Sequence, residues 1–212
     1  MTGKLEEAKN YIELREKEEH DDLSFCVACE VNDKAELDFR SGNIDNALMA
    51  ATDLFSRKIS CKYVPFETIC NCINILADNG YSEKAESLFA DADKELQETA
   101  DDMSRISYVS ELIKYLTKTN VEKAWQYFEK YTIWSLDCED YFAFKFALNV
   151  LPLLKTEDTR VMQLSSLVPW YREDNTYNIK QLYDCYQKQA ADLAQRFDKR
   201  HNSNFFTRQL DN

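Results

Sequence analysis

The sequence predicts an all-α fold: a right-handed α-α superhelix of about four antiparallel helical hairpins, closed by a long C-terminal helix. Three observations predict it. A short segment recurs as Gly42-Asn-Ile-Asp-Asn-Ala47, Gly80-Tyr-Ser-Glu-Lys-Ala85 and Thr119-Asn-Val-Glu-Lys-Ala124. Its alanines lie 38 and then 39 residues apart, and self-similarity at such a period marks stacked helical pairs that bury their faces on one another. Only three glycines and three prolines occur in 212 residues. That is too few for the turns of a sheet-rich fold or the phosphate-cradling loops of a nucleotide-binding one. Finally, no window alternates strictly enough to read as a long strand.

The elements follow in order over one predicted domain, 1–212. A first helix lies within 3–22, with Leu5, Ala8, Tyr11 and Ile12 on one stripe. The acidic cluster Glu18, Glu19, His20, Asp21 and Asp22 caps a second helix, Leu23 to Arg40. Gly42 and Asn43 end that helix, and a partner runs from Ile44 to Arg57, completing a hairpin over 23–57. Pro65 opens the next hairpin, 65–99, in which Gly80 ends the first helix and Ser82 caps the second. The third, 101–134, breaks at Thr119 and Asn120. The fourth, 137–169, pairs an aromatic-rich helix, Tyr141 to Leu154, with a short one from Glu157 to Val168 that Pro169 stops. A closing helix over 176–200 keeps Tyr183, Tyr186, Ala190, Leu193, Ala194 and Phe197 on a buried stripe. The tail, 201–212, is expected to be loose, with Phe205 and Phe206 as anchors.

Composition narrows the function. The aromatic supply of 12 Phe, 12 Tyr and 3 Trp argues for a packed core rather than disorder. A net charge of −12 repels a nucleic-acid backbone, so no nucleic acid is expected as a partner. No apolar run approaches the roughly 20 residues of a membrane span. The charged start, Met1 to Glu7, is unlike a secretory leader. Seven cysteines without a regular framework suit a reducing compartment, so a cytoplasmic location is expected.

Aligning the three alanines exposes further matched positions. Ala51, Phe89 and Phe128 follow by four residues, Leu54, Ala92 and Tyr131 by seven, and Ala35, Ile73 and Leu112 precede by twelve. This pattern resembles the tetratricopeptide repeat (TPR) over about residues 28–134, at a period longer than the family's usual length of about 34. The segment Gln195 to Phe205, through Arg196, Phe197, Asp198, Arg200 and Asn202, is similar to the close of some bacterial TPR-like proteins of unassigned activity. The resemblance implies a non-enzymatic scaffold whose first helices line a concave groove. By register, the groove candidates are Asn32, Glu36, Arg40, Asn74, Asp78 and Thr117, with Lys145 and Asn149 extending the row. Cys70, Val109 and Ile113 share the register. The lysines with which the family grips a terminal carboxylate are missing beside Asn74, so the row suits an extended or helical peptide better.

Other constellations carry less. Cys26 and Cys29 have zinc-ligand spacing but lack two further ligands in the sequence, so they are expected to pack as small hydrophobes, with no metal and no cofactor. Neither His20 nor His201 has a neighbouring nucleophile, so no catalytic residue is assigned and the chain is not expected to be an enzyme. Trp125, Tyr127, Phe128, Tyr131 and Trp134 have the spacing of a packed core. The expected partner is a protein or peptide. A different class of reading, from charge, is an acidic inhibitor or immunity-type protein that blocks a basic partner such as a toxin or nuclease. Exposed aromatics at the array's ends would allow a homodimer.

Overall fold

The computed structural model describes residues 3–19, 21, 24–99 and 101–211. Among them the secondary structure is mostly helical, with a single two-stranded sheet. The chain divides into two compact units, Gly3–Ala100 and Asp101–Asn212. No helix among the described residues is long and apolar enough to cross a membrane. The expected cap at Asp22, the helix start at Leu23 and His20 of the capping cluster lie outside the described residues.

The first unit holds α1 (Leu5–Arg15), α2 (Val27–Arg40), α3 (Ile44–Ala50), α4 (Thr52–Phe55), α5 (Phe66–Asp78) and α6 (Ser82–Glu98). Helix α2 packs on α3 and α5 on α6, each pair across a turn of a few residues. Both turns close in the same way. The Asn43 amide donates to the Asp38 carbonyl at 2.9 Å and the Gly42 amide to the Phe39 carbonyl at 3.2 Å. Tyr81 to Leu76 at 2.9 Å and Gly80 to Ala77 at 3.3 Å repeat the pattern, which satisfies the carbonyls a helix end leaves open. It needs a left-handed residue, and Gly42 and Gly80 supply it at φ +81° and +86°. Ser82 is not the expected cap: Tyr81 takes the cap position without a side-chain bond, and Ser82 is already helical. The helix expected over Ile44 to Arg57 is interrupted at Ala51, where Thr52 Oγ1 donates to the Leu48 carbonyl at 3.0 Å.

The second unit begins with a 3-10 turn, Met103–Arg105, and α7 (Ile106–Thr119). It continues through α8 (Val121–Tyr131), the 3-10 turn Thr132–Ser135 and α9 (Asp140–Val150). Between α7 and α8 there is no glycine. The break is instead an N-cap, in which the Asn120 side chain accepts from the Lys123 amide at 3.1 Å. Helix α7 packs on both α8 and α9, and α9 packs on α10 (Ile179–His201). Aromatic rings gather there: Phe146 of α9 meets Tyr186 of α10 at 5.8 Å, and Phe128 of α8 meets Phe146 at 6.3 Å and Tyr186 edge-on at 6.0 Å.

The helix expected from Glu157 to Val168 does not form. Its place is taken by β1 (Thr159–Val161), paired antiparallel with β2 (Thr176–Asn178), Arg160 opposite Tyr177. The apolar residues there imitate helical spacing, but Val161 and Leu167 are exposed while Met162, Leu164 and Val168 are buried. The strand is pinned by Arg160, which bonds Glu122 at 2.5 Å and Glu157 at 2.9 Å and lies over the Trp125 ring. The closing helix runs to His201, one residue past the expected end, and its stripe uses Leu182, whereas Tyr183 is half-buried.

The tail expected to be loose is tied down. Asn202 turns the chain through φ +46°. The Asp198 carboxylate then accepts from Ser203 Oγ at 3.0 Å, the Phe206 amide at 2.9 Å and the Thr207 amide at 2.8 Å. Phe206 is thereby buried against Phe144 and Phe197. These contacts give Phe197, Asp198 and Asn202 of the closing motif a structural use, and Arg196 ion-pairs with Asp140 at 2.8 Å.

Candidate binding face

The register positions divide into tiers along the first helix of each pair. At the first tier Asn32, Cys70 and Val109 are buried, and at the second Glu36, Asn74 and Ile113 are buried as well. Only the third tier, at the C-terminal ends of the helices, opens outward. There Arg40 and Asp78 are exposed and Thr117 is half-buried, its hydroxyl donating to the Ile113 carbonyl at 2.9 Å.

The buried polar candidates are used between helices of one unit. Thr68 Oγ1 on α5 donates to Asn32 Oδ1 on α2 at 2.6 Å, and Asn71 Nδ2 donates to Glu36 Oε2 at 3.4 Å. The two contacts advance together along both helices, so α2 and α5 run in the same direction. Glu36 also holds Arg40 at 2.7 Å on its own helix. In the second unit Asn149 Nδ2 on α9 donates to Ser110 Oγ on α7 at 2.9 Å, and Lys145 on α9 pairs with Glu111 on α7. Burial pushes the Glu111 carboxyl up, but Lys145 beside it outweighs that and holds it below the ordinary carboxylate value.

Thus Asn32, Glu36 and Asn149 serve inter-helix seams, Lys145 is half-buried in one, and Asn74 is buried. Buried amides and carboxylates need such partners. The partner residues Thr68, Asn71, Ser110 and Glu111 were not singled out by the sequence, because hydrogen-bond partners on a neighbouring helix leave no periodic signal. The aromatic run Trp125, Tyr127, Phe128, Tyr131 and Trp134 is buried throughout, as packing predicts.

Away from this face, the sulfurs of Cys26 and Cys29 are 3.4 Å apart, and Cys61 joins them with its sulfur 3.7 Å from that of Cys29. The Cys29 amide and thiol hold the Cys26 thiol below the ordinary thiol value, whereas burial pushes that of Cys29 up to about 12. Cys70 and Cys72 are buried among apolar side chains.

Comparison with protein-family models, with curated proteins and with solved structures found no match.

Proposed function

We propose that this chain is a non-enzymatic, TPR-like module of the cytoplasm that binds a protein or peptide along the outward ends of its first helices. The observation that supports this most is the shared burial of register positions. Ala47, Ala85 and Ala124 are completely buried, as are Ala35, Ile73 and Leu112 twelve residues before them. Small residues at matched positions let paired helices approach closely, the arrangement that stacked repeats use to expose a recognition surface. In the first unit the parallel course of α2 and α5 adds to this, since first helices of successive repeats run side by side. Arg40 and Asp78 would then be the specificity contacts there, and Thr117 with the edge of Lys145 those of the second unit.

Panning a displayed random-peptide library on the immobilised full chain tests the reading. The expected outcome is one enriched peptide class, weakened about tenfold by Arg40→Glu or Asp78→Lys and unaffected by Lys188→Glu on α10. No enrichment, or peptides that bind all three variants alike, would count against it. Peptides that are lysine- and arginine-rich and released near 0.5 M salt, on the order of a 4 Å screening length, would assign the partner to the basic class.

A further inference from the structure

The sulfur cluster stands apart from the proposed binding face and points to separate chemistry. Its three members come from two places in the chain. Cys26 takes the N-cap position of α2, Cys29 sits in the first turn, and Cys61 arrives from the connector between α4 and α5. All three sulfurs lie within 4.8 Å of one another. At 3.4 and 3.7 Å the neighbouring sulfurs are far outside the roughly 2.05 Å of a disulfide. A tetrahedral ion with metal–sulfur bonds of about 2.3 Å requires its ligand sulfurs to be about 3.8 Å apart. The thiols are therefore already placed like corners of one coordination shell.

The backbone holds them there. The Cys61 amide donates to the Val64 carbonyl at 2.9 Å, and the Ile59 amide to the Asp53 carbonyl at 3.2 Å, fixing the connector on the end of α4. Beneath the sulfurs, Ala28, Leu54 and Val64 form an apolar floor against which Cys29, Val31, Ile59 and Cys61 pack. On the other side Cys26 is exposed. The result is a supported three-sulfur tripod with one open side. Cys70 and Cys72 show the contrast: both are buried in the α5 core, and neither belongs to the sulfur cluster.

We propose that Cys26, Cys29 and Cys61 bind a thiophilic d10 cation, Zn2+ or Cu+, as three thiolates, with the fourth side open to water or an added ligand. Three S–H bonds break, three metal–sulfur bonds form and three protons pass to solvent, with no change of oxidation state. The ion would tie the start of α2 to the connector that leads into α5.

The test uses the full chain, purified reduced and without air. Co2+ is added first, as a spectroscopic substitute for Zn2+; Zn2+ and Cu+ are then titrated separately against chromogenic chelators. The expected result is one ion per chain, with the visible bands of tetrahedral thiolate-bound Co2+ and protection of three thiols from alkylation. The cation held against its chelator identifies the species. Cys26→Ser removes an exposed ligand without disturbing the floor and should weaken binding on the order of 100-fold. Cys61→Ser should do the same, while Cys185→Ser should have no effect. Failure of the reduced chain to take up any of these ions would overturn the proposal. Uptake indifferent to Cys26→Ser would overturn it too, as would a disulfide among the three formed on air exposure as the cluster's sole chemistry.

Discussion

At the scale of single residues, two carboxylates of the second unit tie its stability to acid. Burial pushes the Asp198 carboxyl up, but bonds from Thr207, Phe206 and Ser203 outweigh it and hold the group at about 2. A carboxyl depressed in the folded state stabilises that state above the unfolded value, about 3.9, and the contribution disappears as pH falls through about 2. Asp198→Asn is therefore expected to flatten this part of the acid limb in urea unfolding curves taken between pH 5 and pH 2. It should also speed hydrogen exchange at the Phe206 and Thr207 amides, with a cost of about 1–3 kcal/mol at neutral pH. Unchanged exchange at those amides would show that the tail is held some other way. The Glu111 pair has the same sign: its stabilisation is present above the usual glutamate range and fades as pH falls through its lowered value. Lys145→Met removes the ion-pair partner of a buried carboxylate and should cost about 3 kcal/mol in chemical denaturation, while adding Glu111→Gln should recover most of it. If Lys145→Met is instead neutral for stability, its exposed edge, not the seam, is its main use.

At the scale of elements, much of the helical pattern was legible because it rests on local chemistry. Gly42, Gly80 and Asn120 mark the turns that join helices, though by two different devices: a left-handed C-terminal closure at the glycines and an N-cap at the asparagine. Alanine at Gly42 or Gly80 meets nothing within 4 Å, so its cost is that of the backbone conformation alone, about 1 kcal/mol, measurable as a lower denaturation midpoint. Asparagine, which tolerates that conformation, should cost less, and equal losses for both replacements would point away from backbone strain. What was not legible depends on distant partners. Three-residue strands carry no usable alternation, so a helix is expected from Glu157 to Val168, and only the pairing of 159–161 with 176–178 decides otherwise. Cys61 escaped notice for the same reason. It lies 32 residues beyond Cys29, in a connector without periodicity, and only the fold brings it to the CxxC pair.

At the scale of the molecule, each unit has its own buried core, and all three tryptophans, Trp125, Trp134 and Trp170, belong to the second. Tryptophan fluorescence therefore reports that unit alone, whereas far-UV circular dichroism reports both. The expected outcome of thermal unfolding is two midpoints, the fluorescence one reproduced by a fragment covering 101–212; coincident curves from both probes would show that the units unfold as one. Within the first unit, the seam between α2 and α5 limits how the helices can move. Sliding α5 by one turn, about 5.4 Å, would set Asn32 opposite Cys72 or beyond the start of α5, and Glu36 opposite Ile75 or Glu67. Either step strands a buried amide on an apolar side chain or a carboxylate on a like charge, so no intermediate stop is available. On the binding reading proposed above, the pair acts as a fixed gauge and not as a spring: a partner is measured against one spacing of Arg40 and Asp78, and fits or fails by length.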